Sequence, residues 1–297
     1  MNTELKPPKI LACLLATWLI WGSTYLVIKF ALLSFPPFFQ MGTRFLAAGG
    51  LLLMWSRLRR HSMPTILQWR NAAIVGGLML GGGMGGTAYA EQYVASGLVV
   101  AFIAVVPALI ALINLYFGVK PGNLEALGIG IGVLGVIFLV GGVGFNASGR
   151  GLLAIVLATT CWSTGSVLAQ RIFPLAPGGM GFASEMLCGG LLLLVISLVV
   201  REGVHWPPQA QAAWAWLYLV VFGSLIAFSA YMILLSGTSA TLAASYAFVN
   251  PIIAMVLGVS FGGETVTPRE WMATGIIVLG IVLLLFGRRR EAMLHGR

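Results

Sequence analysis

The chain has 297 residues, of which 59% are hydrophobic and only 8% charged. A soluble domain carries roughly 25% charged residues, so this composition excludes a water-soluble globule, and a disordered chain would need more polarity still. The net charge of +9 comes from 17 basic and 8 acidic residues, every acid being glutamate. Lipid is the solvent that remains.

A helix needs roughly 20 apolar residues to cross the hydrocarbon core. Reading along the chain with glycine, proline and charge as punctuation predicts ten spans. They lie near 10–29, 37–55, 72–92, 96–117, 124–142, 151–170, 180–200, 213–234, 239–260 and 270–287. The first follows Lys6 and Lys9 and resembles a signal peptide, but it carries Trp18, Trp21 and Tyr25 and is too long and bulky for a cleaved one. Runs such as GLLLLVISLVV do not alternate at period two, which sets aside a β-barrel. The expected class is all-α, a polytopic helical bundle.

Basic residues in short loops orient such a bundle. With the N-terminus in the cytoplasm, the inside holds Lys6, Lys9, Arg57, Arg59, Arg60, Arg70, Lys120, Arg171, Arg288, Arg289, Arg290 and Arg297. The outside holds Arg150, Arg201 and Arg269. Both termini are then cytoplasmic, as an even span number requires. The positive charge reads as topology, with contact to anionic lipid as a secondary benefit, and no nucleic-acid partner is expected.

The chain also resembles itself. At an offset of 141, Trp21 falls on Trp162, Arg44 on Glu185 and Gly49 on Gly190. At 144, Pro107 falls on Pro251, and at 145 Glu125, Gly130 and Gly135 fall on Glu270, Gly275 and Gly280. The series divides the chain into repeats 1–145 and 146–297. With five spans in each, an odd number, the second repeat enters the membrane from the opposite side. Inverted repeats are a building plan of secondary transporters, whose substrate sits near the midplane between the halves.

Other chemistries fit poorly. Gly130-x-Gly132-x-x-Gly135 follows no strand, so it reads as close helix packing and not as a dinucleotide site. The glycine run at 76–86 lacks the Lys-Ser or Lys-Thr of a phosphate loop. Cys13, Cys161 and Cys188 lie far apart in apolar runs. With no Asp, and histidines only at 61, 205 and 295, no catalytic triad or metal motif can be drawn, so neither an enzyme nor a cofactor is expected.

Ionisable residues inside spans are costly and are functional candidates by default. Lys29, Arg44 and Glu91 form a candidate outer cluster, with Arg44–Glu91 the expected pair. Glu185, the counterpart of Arg44, lies toward the inner side, where Arg171 is the nearest candidate partner. The plain reading makes these structural or gating ion pairs; the sharper one makes Glu91 or Glu185 the carrier of a coupled proton. For the substrate cavity, spans 1 and 6 offer Trp21, Thr24, Trp162 and Ser166. Span 3 offers Tyr89 and Gln92, span 8 Tyr231, and span 9 Tyr246 and Asn250. Each has an alternative use in packing. Pro107 and Pro251 free backbone carbonyls, which suits a ligand or a hinge.

The runs IWGSTYLVIK (20–29), RFLAAG (44–49), AEQYVASG (90–97), SYAFVNP (245–251) and GGE (262–264), in that order, resemble the drug/metabolite transporter superfamily in its bacterial EamA branch. The resemblance covers nearly the whole chain and looks closest to inner-membrane exporters of aromatic amino acids and related metabolites. It implies alternating-access export of a small molecule through a central cavity lined mainly by spans 1, 3, 4, 6, 8 and 9, with spans 5 and 10 as outer supports. The repeats differ where GGE at 262–264 falls on Gly118-Val119-Lys120. An exporter of hydrophobic drugs or of another metabolite, and a passive channel, are the rival readings.

Overall fold

A computed structural model describes residues 7–94, 99, 102–140, 148–262 and 267–295. Lys6, Glu264, Arg297 and the expected turn at 95–98 between spans 3 and 4 lie outside the described residues.

Among the described residues every regular element is a helix. In chain order these are α1 (Pro7–Ala31), α2 (Pro37–Leu58) and α3 (Ile66–Gly76), which continues through a π-helical segment, π1 (Gly77–Gly85), into α4 (Gly86–Ala90). Then come α5 (Val106–Tyr116), α6 (Asn123–Val140), α7 (Gly149–Arg171), α8 (Gly179–Val199) and α9 (Ala210–Tyr218). A second π-helical segment, π2 (Leu219–Phe228), joins α9 to α10 (Ser229–Gly237), and α11 (Ala240–Ala243), α12 (Tyr246–Gly262) and α13 (Pro268–His295) complete the chain. Among the described residues, three helices are by themselves long and apolar enough to cross a membrane: Gly149–Arg171, Gly179–Val199 and Ala210–Gly237. In α2 the apolar run is diluted by Gln40 and Arg44, and α5 has only 11 residues.

Local chemistry sets several boundaries. Thr65 closes a capping box with Gln68 at the start of α3, and Ser148 accepts from the Gly151 amide to start α7. The first turn of α2 is capped across the fold: the Glu202 carboxylate accepts from the Phe38 and Phe39 amides at 3.1 and 2.8 Å. An anion there satisfies orphan N–H groups and matches the positive end of the helix dipole.

The packing follows the sequence repeat. α2 lies along α8, and α6 along α13. α1 packs on π2 and α12; α7, its counterpart, packs on π1 and α5. Exchanging the repeats therefore turns each contact into another that is present. Even the two π-helical segments correspond, since Gly77 and Leu219, their first residues, are 142 apart. The α6–α13 seam closes on glycine: a Cβ on Gly128 would stand 2.8 Å from the Gly280 carbonyl oxygen, and one on Gly280 would stand 2.9 Å from that of Gly128. Such closeness is what small residues permit where helices gain no hydrophobic drive from lipid.

Candidate functional site

Four aromatic rings meet at the centre, one from the first repeat and three from the second. Trp21 of α1 meets Trp162 of α7 edge to face, with centroids 5.6 Å apart and planes at 79°. Tyr231 of α10 lies 5.3 Å from Trp21 and 5.1 Å from Trp162. Tyr246 of α12 meets Trp21 at 4.6 Å and 78°. All four are buried. Edge-to-face and tilted contacts are the arrangements that ring quadrupoles prefer.

Each tryptophan rests on a glycine of the opposite repeat. A Cβ on Gly83 of π1 would stand 3.1 Å from the Trp162 ring. On the other side, the Trp21 indole N–H donates to the Gly223 carbonyl of π2 at 3.2 Å. The arrangement is not fully symmetric, because the buried Trp162 Nε1 has no hydrogen-bond partner among the described residues.

The rings border a cavity of about 60 Å³, lined also by Thr24, Met41, Thr87, Ile103 and Thr159. At roughly 10–15 Å³ per water position, that is room for a handful of waters. Its polarity is one-sided. Thr24 donates its hydroxyl to the Trp21 carbonyl at 2.8 Å, Thr87 to that of Gly83 at 2.8 Å, and Thr159 to that of Ile155 at 2.9 Å. A hydroxyl has one proton and two lone pairs, so these three present acceptors and methyl groups to the cavity. Behind the rings, the hydroxyls of Ser166 and Tyr231 are 2.8 Å apart. Ser166 also donates to the Trp162 carbonyl at 2.7 Å, so in that arrangement Tyr231 is the donor to Ser166.

The other residues singled out in the sequence lie elsewhere. Tyr89 stacks on Phe38, with centroids 5.7 Å apart and planes at 13°, and packs on Tyr93 at 5.1 Å; Gln92 is exposed. Asn250 is fully buried in α12, one turn beyond Tyr246, and is not among the cavity-lining residues. Met41, Thr87, Thr159 and the two glycines were not anticipated. The glycines carry a signal that would have found them: Gly83 and Gly223 are 140 apart, almost the offset of the tryptophans.

One of the expected charge pairings requires correction. Arg171 is not the partner of Glu185: it is exposed, donates from Nε to the Asn114 Oδ1 at 2.8 Å, and stacks over Phe117 at 5.6 Å. Asn114, a neutral acceptor brought in by α5, takes the bond that a sequence search for opposite charges would assign to a carboxylate. Glu185 is fully buried, and neither of its carboxylate oxygens has a hydrogen-bond partner among the described residues. Arg44 and Glu91 act on each other through their charges, without a hydrogen bond between them among the described residues. Arg44, also fully buried, donates from Nε to Ser224 Oγ at 2.7 Å and from Nη1 to the Met41 sulfur at 3.4 Å. Both carboxylate oxygens of Glu91 are buried without a hydrogen-bond partner among the described residues, though the charges of Lys29 and Arg44 act on it. Lys29 itself is exposed.

Comparison with known proteins gives a consistent picture. The sequence pattern of the EamA-like transporter family matches twice, at residues 8–141 and 149–286. The inner membrane transporter YedA of Escherichia coli (strain K12), described as uncharacterized, is 41% identical over 280 residues, which cover 94% of this chain and 91% of that protein. An uncharacterized transporter of Synechocystis is 28% identical, over 91% of this chain and 88% of its own length. A solved crystal structure with 21% identity superposes with a TM-score of 0.79, covering 97% of this chain and 100% of that one; it has the same fold.

Proposed function

The chain belongs to the EamA-like transporter family and is a membrane transporter; on that premise we propose that it exports amino acids with large apolar or aromatic side chains, and related metabolites, by alternating access. The observation that carries this reading is the cavity bounded by Trp21, Trp162 and Tyr246, with the two tryptophans contributed by equivalent positions of the two repeats. Ring faces and edges suit an apolar or aromatic side chain, and their negative faces attract an ammonium group. The hydroxyl oxygens of Thr24, Thr87 and Thr159, whose protons are committed to backbone, are further acceptors for that ammonium.

At about 60 Å³ the cavity is too small for such a molecule, so transport requires the rings to part. In this reading ten spans form two inverted five-span repeats, at 1–145 and 146–297, with both termini in the cytoplasm. The halves part first on one side of the Trp21–Trp162 contact and then on the other. Spans 5 and 10, which contain α6 and α13, stay together as a support. Glu185 carries the coupled proton in this scheme, since its buried carboxylate has no hydrogen-bond partner among the described residues and, unlike that of Glu91, stands outside the field of Lys29 and Arg44.

Proteoliposome uptake of labelled aromatic amino acids, with and without a pH gradient, tests the reading. Saturable uptake that is accelerated by unlabelled substrate on the far side is expected of a carrier. A flux that never saturates would indicate a channel, and no flux of any amino acid would remove the substrate assignment. Glu185→Gln is expected to abolish the response to the pH gradient; an unchanged response would remove Glu185 from coupling.

A further inference from the structure

Arg44 is the largest side chain that the fold buries completely. A guanidinium stays protonated and carries five donors in a rigid fork, so its burial in an apolar bundle demands acceptors. It finds few. Nε reaches the neutral Ser224 hydroxyl, and Nη1 reaches only the weakly accepting sulfur of Met41. Phe45 offers its ring face at 4.9 Å. Nη2 is buried and has no hydrogen-bond partner among the described residues. Of the nearby carboxylates, that of Glu91 acts on Arg44 only through its field, since neither of its oxygens accepts a hydrogen bond.

The position of this under-used cation is informative. Nη2 lies 3.3 Å from the point that a Cβ on Gly223 would occupy, and Thr24 Cγ2 lies 3.5 Å from that same point. Thr24 and Met41 both line the central cavity, and the Gly223 carbonyl holds the Trp21 indole. The free edge of the guanidinium therefore stands directly behind the cavity wall, at the end where α1, α2 and π2 meet. The residue there is glycine, and a side chain in its place would press on the guanidinium.

The geometry points to Arg44 as the anchor for a single carboxylate on the transported molecule, an inference that rests on the small-molecule carrier reading above. One guanidinium balances one monoanion; a dianion such as a phosphate monoester would need a second cation at the site, and Lys29, the other cation of the cluster, is exposed and acts on Glu91. A carboxylate also matches the planar fork, and the resulting charge-assisted bonds are about twice as strong as neutral ones. With the carboxylate at Arg44, the rest of a substrate lies against Trp21, Tyr246 and Trp162, its ammonium within reach of the threonine oxygens. The cation thereby selects among molecules of similar shape by their acid group.

Binding to the purified full-length protein in detergent tests the assignment. Phenylalanine is compared with phenylalaninamide, and phenylacetate with phenylacetamide. The wild type is expected to favour the acid in each pair about tenfold or more, the scale of one charge-assisted contact. Arg44→Gln is expected to bring the two members of a pair within about twofold, and Arg44→Lys, which keeps charge without the fork, to give an intermediate preference. Equal binding of acid and amide by the wild type overturns the anchor without any variant having to fold. A preference that survives in Arg44→Gln overturns it too, and assigns Arg44 to structure or gating. If neither phenylalanine nor its amide binds, the amino-acid reading fails by itself; the anchor then stands or falls on phenylacetate, and no binding of that acid overturns it.

Discussion

The two halves are built alike at their supports and differently at their charges. In each, a tryptophan leans on a glycine in a π-helical segment of the other half, and α6 and α13 meet glycine to glycine. Yet the equivalent positions 44 and 185 hold opposite charges, one with two side-chain hydrogen bonds and the other, among the described residues, with none at its carboxylate oxygens. The equivalent indoles differ as well: Trp21 donates to a carbonyl, and Trp162 Nε1 has no hydrogen-bond partner among the described residues. Scaffold positions have stayed symmetric because both halves must pack in the same way. The polar positions differ, as the proposed carrier of a substrate with two different ends requires.

That contrast can be tested by paired substitutions. At the support seam, Gly128→Val and Gly280→Val each drive a side chain into backbone atoms under 3 Å away; each should cost about 3 kcal/mol or more, read as lost thermal stability in detergent. Gly130, two residues along, has open space, and Gly130→Ala should stay within about 0.5 kcal/mol. Unequal losses at Gly128 and Gly280 would break the symmetry of the seam. At the charges, Glu185→Met removes a buried carboxylate without partners and should raise stability by about 1–3 kcal/mol while transport falls. A lowered melting temperature would mean that the carboxylate is satisfied after all.

At the indoles, Trp21→Phe loses the bond to Gly223 and should cost about 1 kcal/mol more than Trp162→Phe, which loses no such bond. Equal melting temperatures would contradict the asymmetry. Smallest is Tyr231→Phe, which removes the hydroxyl beside Ser166 but leaves Ser166 its bond to the Trp162 carbonyl. A loss of about 0.5–1 kcal/mol is expected, with substrate affinity nearly unchanged.

Much of this was legible in the sequence, and the exceptions have physical causes. The repeat offset brought Trp21 and Trp162 into register, and their meeting at 5.6 Å is what two equivalent positions beside a common axis produce. Tyr231 and Tyr246 were recognisable as ring-bearing residues with hydroxyl-rich neighbours. Tyr89 and Gln92 follow π1, nine residues bonded i to i+5, and are not among the residues lining the central cavity. Partners of charged residues were the least legible. Arg44 finds Ser224 and Arg171 finds Asn114, 180 and 57 positions away. Neutral acceptors at such separations give no pattern to search for. Nor could a linear reading show that Glu202, in a loop after α8, would cap α2.

The paired π-helical segments have a mechanical consequence. A helix wound with i to i+5 bonds holds one surplus residue per turn relative to its α-helical neighbours. Passing that surplus along the rod rotates the side chains on one side of it by about 100° and shifts them by about 1.5 Å, while every backbone bond is exchanged and none is forfeited. Gly83 and Gly223, the seats of the two tryptophans, both lie within such stretches. Each half thus stores a length of slack under its own latch, and taking it up in one half at a time would unseat one tryptophan while the other stays held.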